Sequence, residues 1–406
     1  MAKAKPKKEK KKKGQFSDGA KGTRAERLAA VVQGANKEFK KPVMTSPRTD
    51  PLLVVPRVTT CLYGLDVKTN GGLPFGRVVL VYGPKGGGKT TLYLRGVAEA
   101  QKLCANCHQP GVFKRGKMEL PNLKTGKIEK VETDVIVDCP CGKPKDMLVF
   151  WIDAEGIWLN EWARKMGVAV EKIILMRPTF GEQAYDIITS FVSIKDIDVF
   201  VIDSVAAMTP AVEMEAGMRE QQQGVAARMN NKFIRKIVSG MNDAFQEGIS
   251  LTLWMVNQYR EKIGVMFGSP DTIPGGKGQS FATSLEIEMR PGAVKIDDNT
   301  GEPLFGEFRY TVKRNKIGVP GGKGEFMQCM AETDVFGVGD LMEHEEVIKA
   351  AGDMGIIVRP SNVMYEYGGE SFRGVSQMVR YFGEHPAQYE EMKEIMLRSR
   401  LGISDD

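Results

Sequence analysis

Val81-Tyr-Gly-Pro-Lys-Gly-Gly-Gly-Lys-Thr-Thr91 decides the fold. It meets the pattern G-x-x-x-x-G-K-T with Gly83, Gly88, Lys89 and Thr90, and its flanks supply the context that the pattern needs. Before it, Arg77-Val-Val-Leu-Val-Tyr82 reads as a buried strand. After it, Thr91 to Gln101 carries apolar residues at helical spacing. In a strand, glycine loop and helix so ordered, successive backbone N–H groups aim at phosphate oxygens with the positive end of the helix behind them. Gly83, Pro84, Lys85, Gly86, Gly87, Gly88, Lys89, Thr90 and Thr91 are therefore assigned to a nucleotide. Lys89 would neutralise the terminal phosphates and Thr90 would hold Mg2+.

The 406 residues are 42% apolar and 27% charged, the balance of a globular protein with one large core and smaller modules. No apolar run is as long as a membrane span and no apolar segment follows the lysine-rich start, so a cytoplasmic protein without membrane contact is expected. The formal net charge of +6 is misleading as an average: residues 1–14 hold eight lysines against Glu9, which is +7, leaving the rest at −1. Such a run cannot bury apolar surface and reads as a disordered tail, through about residue 23, that serves either solubility or non-specific attraction to nucleic-acid phosphates.

Arg24 to Phe39 reads as an amphipathic helix with a proline-containing linker behind it, together residues 24–59. A helix outside the core must bury its apolar stripe, and in an oligomer a neighbour can serve. From about Thr60, apolar strands at Val78–Tyr82, Leu148–Asp153, Ile173–Met176, Val199–Asp203 and Ser250–Val256 alternate with helical patterns. That alternation predicts an α/β fold, a mostly parallel sheet flanked by helices. Leu285–Arg290 and Phe308–Val312 read as shorter strands on an antiparallel edge. The core is expected over residues 60–330, and a small C-terminal α/β domain over 331–406.

Asp203 ends the strand Val199–Asp203, where a carboxylate can reach the water shell of Mg2+. Glu155 lies just past the strand ending at Asp153, in the crevice where ligands of such sheets bind, and can polarise the water that attacks a γ-phosphate. Asp153 competes for that role. Asn257-Gln258 ends another strand and can sense a γ-phosphate and move the loop that follows. That loop, 259–276, mixes Arg260, Lys262 and Lys277 just beyond it with Ile263, Met266 and Phe267, a composition that grips a phosphate backbone and wedges between bases.

These stretches resemble the RecA recombinases of bacteria and their phages. The likeness is carried by Asn257-Gln258 with Lys262-Ile-Gly-Val-Met-Phe-Gly268 and Gly275-Gly276. Asp203-Ser-Val-Ala-Ala-Met-Thr-Pro210, Gly181-Glu-Gln-Ala184, Ala163-Arg-Lys-Met-Gly167 and Gly292-Ala-Val-Lys295 carry it too. It covers about residues 60–330, and the 257–276 stretch is absent from other phosphate-loop ATPases. The resemblance implies an ATP- and Mg2+-dependent, DNA-stimulated ATPase. That protein forms helical filaments on single-stranded DNA and exchanges strands with a homologous duplex in recombination and repair. It also implies single-stranded-DNA-binding and loader proteins as partners. By position, Glu155 matches the catalytic glutamate and Gln258 the γ-phosphate sensor, while Arg314 and Lys316 match basic residues that reach a neighbour's ATP. Trp162 matches an aromatic near the adenine and Phe281 one at the subunit interface. Loops 213–224, with Met218, and 259–276 match the DNA-binding loops, and Arg228 and Arg235 match arginines near the DNA backbone. Lys85, Ser280, Glu286 and the short Asp405-Asp406 end depart from the family pattern. A RecA-core helicase or translocase, and a mediator that binds ATP and DNA but barely hydrolyses, are the alternatives.

The largest departure is an insertion at about 103–146. It holds Cys104-Ala-Asn-Cys107 and, after thirty-one intervening residues, Cys139-Pro-Cys141. Two close thiolate pairs suit a structural Zn2+, and His108 offers a substitute ligand for the tight second pair. The insertion is thus read as zinc-ribbon-like.

Overall fold

The computed structural model describes residues 23–40, 44, 54–215, 224–261, 271–274, 277–297, 300–333, 337–342 and 344–401. The chain divides into two units, one of residues 1–54 and 246–248 and the other of the rest. In the first, helix α1 (Arg24–Phe39) opens on a capping box: Glu26 N donates to Thr23 Oγ1 at 3.3 Å and Thr23 N donates to Glu26 Oε2 at 2.7 Å. Two of its orphan N-terminal donors are thereby satisfied.

The second unit starts with β1 (Arg57–Val58), α2 (Tyr63–Lys68) and β2 (Leu73–Pro74), then β3 (Val78–Gly83) and α3 (Lys89–Ala100). A hairpin of β4 (Val112–Pro121) and β5 (Ile128–Asp138) follows. Strand and helix then alternate through β6 (Val149–Asp153), α4 (Asn160–Lys165), β7 (Ile173–Met176), α5 (Gly181–Ile194), β8 (Val199–Asp203), α6 (Ala211–Glu215), α7 (Val225–Gln246) and β9 (Thr252–Gln258). The short pair β10 (Arg260–Glu261) and β11 (Asp271–Thr272) precedes α8 (Lys277–Ala282), β12 (Leu285–Ile296), β13 (Pro303–Asn315) and β14 (Lys323–Cys329). The C-terminal part holds α9 (His344–Asp353), the hairpin β15 (Met364–Tyr367) and β16 (Glu370–Arg373), α10 (Val375–Glu384) and α11 (Pro386–Leu401).

Eight strands form one sheet in the order β14-β13-β12-β3-β9-β8-β6-β7. Every pairing from β12 to β7 is parallel, and β13 and β14 add antiparallel strands at one side. Side chains alternate between two cores, as period-2 geometry requires. Val79, Val81, Trp151, Val201 and Trp254 join α3 on one face, while Val78, Leu80, Phe150, Phe200 and Leu253 join α5 and α7 on the other. A strand buried on both faces must be apolar throughout, which is why these segments show no polar alternation.

Two strands differ from the sequence reading. Leu285–Glu288 runs parallel to β3 on one side while pairing antiparallel with β13 on the other, so β12 joins the two parts of the sheet rather than lying on an antiparallel edge. Its alternating Leu285, Ile287 and Met289 are fully buried and therefore enter the core. β9 extends through Asn257 and Gln258, which brings both amides to the sheet end that carries the phosphate loop. The C-terminal elements bury their own cluster, with Ile348, Phe382, Met392 and Met396, and Tyr63 from α2 is part of it. No helix among the described residues is long and apolar enough to cross a membrane.

Candidate nucleotide and nucleic-acid site

The glycine loop lies on the backbone of the neighbouring strand. Gly83 has φ +149°, and a Cβ there would stand 1.9 Å from the carbonyl oxygen of Met289 on β12. Gly88 caps α3 at φ +77°, with Phe308 of β13 at 3.1 Å from the place of a Cβ. Only glycine meets both demands. Lys85 and Gly86 stand exposed at the outer turn.

Lys89 is buried, and its Nζ donates to Pro84 O at 2.5 Å, folded over the loop. Burial pulls its pKa down, while Asp203 and Glu155 pull it back up. Thr90 Oγ1 donates to Asp203 Oδ2 at 2.6 Å, so the two proposed Mg2+ residues are side by side. Burial pushes the Asp203 carboxyl up to about 6 against the Thr90 hydrogen bond, with Glu155 and Asp153 adding to the rise. A buried carboxylate beside two others is the donor set that a divalent cation neutralises, so these residues fit Mg2+.

Glu155 is held by two donors: Gln258 Nε2 and Ser204 Oγ both reach its Oε1, each at 2.5 Å. Asn257, the neighbour of Gln258, donates from Nδ2 to Pro274 O at 2.9 Å and to Gln279 Oε1 at 3.1 Å, gripping the far end of the 259–276 loop. Asp153, the competitor, is occupied. It accepts from the N–H groups of Ile157 and Trp158 and from Arg177 Nε at 2.9 to 3.1 Å, which fixes the turn that carries Glu155. In the sequence Ser204 stands out only by following Asp203, and Arg177 carries no functional signal of its own. Trp162 and Trp158 line one small cleft with Thr90 and Asp203.

Arg314 and Lys316 are far from this group. Along the sheet Arg314 faces Glu286, which faces Leu80, and Lys316 N donates to Ser284 O just as Ser284 N donates to Val78 O. They stand level with the start of β3, whereas the phosphate loop follows its end at about 3.3 Å per residue further on. Lys316 Nζ donates to Phe281 O at 2.6 Å, and Arg314 Nη1 reaches Ser280 O and lies 3.5 Å from Glu286. Phe281 is 75% exposed between them. Arg228 and Arg235 are exposed on α7, and Asn231 of the same helix accepts from Gly278 N at 3.0 Å, joining α7 to the end of the second loop. Arg260 is placed in β10 by its backbone, while Met218, Lys262, Met266, Phe267, Gly275 and Gly276 lie outside the described residues.

A family model for the RecA N-terminal domain matches residues 26–109 and 126–333. The chain belongs to the RecA family. The RecA protein of Psychrobacter arcticus is 33% identical over 387 residues, 94% of this chain and 94% of that protein. The RecA proteins of Teredinibacter turnerae and Pseudomonas putida are 31% identical over 382 residues (93% of this chain, 95% of that protein) and 30% identical over 377 (92% and 90%).

The RecA family model passes over residues 110–125, which fall in the insertion. Cys104, Cys107, Cys139 and Cys141 bring their Sγ atoms within 4.8 Å of one another, with Cys104 and Cys141 at 4.0 Å and Cys139 and Cys141 at 3.2 Å. Four thiolates at about 2.3 Å from one tetrahedral zinc stand about 3.8 Å apart, so the quartet fits Zn2+. His108 is not among these ligands. It is buried with its ring 4.4 Å from that of Phe75, where burial, aided by Lys145, holds its pKa down at about 4.

Proposed function

We propose that this RecA-family chain is an ATP-dependent recombinase that assembles on single-stranded DNA and exchanges it with a homologous duplex. The shared oxygen of Glu155 carries the reading. Gln258 binds that oxygen, and its neighbour Asn257 binds Pro274 and Gln279 at the far end of the 259–276 loop. Two adjacent amides thus join the carboxylate proposed for hydrolysis to the loop proposed for DNA. A γ-phosphate that draws Gln258 away from Glu155 would free the carboxylate and pull on the loop together.

In this reading Lys89 leaves Pro84 O for the terminal phosphates, and Thr90 and Asp203 hold Mg2+, which supplies charge neutralisation at the phosphates. Glu155 orients the attacking water. Trp162 packs on the base, and Arg314 and Lys316 act on the neighbour's nucleotide, since they stand level with the start of β3 while their own phosphate loop follows its end. Phe281, exposed beside them, takes part in the same contact. Met218, Arg228, Arg235, Arg260, Lys262, Met266, Phe267, Gly275 and Gly276 face DNA. Cys104, Cys107, Cys139 and Cys141 hold a Zn2+ that serves as a cross-link without a chemical step. The test is the ATPase rate with and without single-stranded DNA, with electron microscopy of the same samples. Hydrolysis indifferent to DNA, with no ATP-dependent filaments, sinks the reading.

A further inference from the structure

The β4–β5 hairpin is an anchored arm. Its antiparallel ladder runs from Val112 opposite Asp138, past a bulge before Phe113, to Pro121 opposite Ile128, about 30 Å at 3.4 Å per residue. A lone two-stranded ladder is marginal in water, and this one is secured at its root. Phe113 and Ile136 pack with Cys104, Cys107 and Cys139. Lys172, 2% exposed, pairs with Asp146 at 2.6 Å, and its ammonium lies 4.9 Å from the centre of the Phe113 ring. Since α3 runs back from the phosphate loop before the arm and β6 starts after it, the root is at the sheet end opposite Glu155 and Gln258.

Charge along the arm is sorted. Asp134, Glu132 and Glu119 stand 4.0, 3.8 and 3.6 Å from Arg115, Lys117 and Lys130, and Glu129 accepts from Asn122 Nδ2 at 2.8 Å. In the turn, Lys124 and Lys127 have no acidic partner among the described residues. Beside them Leu123 is 62% exposed and Ile128 74%. The turn is built to hold this shape: Asn122 Oδ1 accepts from both Lys124 N and Thr125 N at 3.1 Å, and Gly126 takes φ +69°.

We propose that the tip of this arm docks on duplex DNA, with Lys124 and Lys127 on phosphates and Leu123 and Ile128 against the groove between them. The proposal rests on the recombinase reading, in which a duplex is the second substrate. Glu119, Glu132 and Asp134 are paired with cations within the arm. At the tip Lys124 and Lys127 outnumber Glu129, whose charge the neutral Asn122 amide leaves in place, so the tip keeps a net positive charge that complements a polyanion. A two-stranded ribbon fits a major groove about 12 Å wide, where exposed apolar side chains can meet thymine methyl groups. The family model omits residues 110–125, so β4 and much of the turn are additions to the family pattern.

The test compares the full chain with Lys124→Ala/Lys127→Ala and with Leu123→Ser, titrating a fluorescent duplex across salt concentrations. Each lost phosphate contact removes ~0.9 from the logarithmic salt slope, so the double variant should be shallower by about 2. The parent's advantage over it should therefore shrink about tenfold between 50 and 200 mM salt. ATPase stimulated by single-stranded DNA should be unchanged. A photo-crosslinking residue in place of Thr125 should label duplex. Equal duplex affinity and slope in parent and variants overturn the proposal, as does crosslinking only to single strands or to a second copy of the chain. If the parent shows no DNA-stimulated ATPase, the recombinase reading fails separately, and the duplex titration still judges the arm.

Discussion

Replacing Gly83 with alanine should slow turnover about a hundredfold in a protein that still folds. The added Cβ would stand 1.9 Å from Met289 O, whereas ordinary contact begins near 3.4 Å, so the loop or the β12 carbonyl must yield by about 1.5 Å. Met289 is fully buried within the sheet and cannot retreat without breaking β12 from its neighbours, so the loop moves. A misplacement of about 1 Å in a catalytic site costs about a hundredfold in rate. The strained φ at Gly83 adds about 1–3 kcal/mol of destabilisation. Steady-state ATPase and thermal unfolding of Gly83→Ala therefore should show kcat down about a hundredfold with a folded protein. Gly301→Ala is the control, since Gly301 also has positive φ (+72°) but no atom within 4 Å of the added carbon. It should lose about 1 kcal/mol and no activity. A Gly83→Ala protein that hydrolyses ATP like the parent would refute the claim that this loop, seated on Met289, sets the phosphate position.

Glu155→Gln should keep nucleotide binding while hydrolysis falls about 10²- to 10⁴-fold, read by filter binding and phosphate release. Arg314→Ala should be similarly slow, yet an equal mixture of the two variants should regain about a quarter of parental activity, because a head-to-tail contact can combine one intact half from each. No recovery would place Arg314 outside a shared site. Protein purified without added zinc should carry one equivalent of metal by elemental analysis, lost in Cys104→Ser/Cys107→Ser; metal retained there would remove the quartet. Burial opposes ionisation of Glu288, but hydrogen bonds from Lys313, Tyr259 and Arg290 win and hold its carboxyl at about 2. Its folded pKa lies below the ordinary value, so its stabilisation is full above about pH 4.5 and fades as pH falls toward 2. The stability gap between the parent and Glu288→Gln should close over that window in acid denaturation.

The nucleotide half of the site could be read from the chain because its chemistry is local. Gly83 to Thr91 is one contiguous loop, and Asp203 and Glu155 announce themselves at strand ends. The parallel strands were equally visible, since a strand buried on both faces needs an unbroken apolar run. What depended on tertiary pairing was harder. Nothing local to Leu285–Glu288 tells that it has β3 on one side and β13 on the other, and nothing near Asp153 tells that Arg177 and two turn amides consume its oxygens. The four cysteines were evident from spacing, but the β4–β5 ladder was not. Its strands alternate charges that answer one another across the pair, as Arg115 does Asp134, and a reading of apolar period passes over such strands. By sequence His108 is a spare ligand beside Cys107, and only packing, which turns its ring onto Phe75, removes it from that role.

Ala105 N donates to Lys145 O at 2.8 Å, so the chain leaves for the arm and returns from it at adjacent points. To the sheet, the whole excursion is a short turn between α3 and β6. Because closure cost grows only with the logarithm of loop length, the size of what lies beyond that junction weighs little on the core. The junction therefore behaves as a socket: another hairpin could be fitted there, or the present one lengthened, changing what the molecule reaches without altering how it handles its nucleotide.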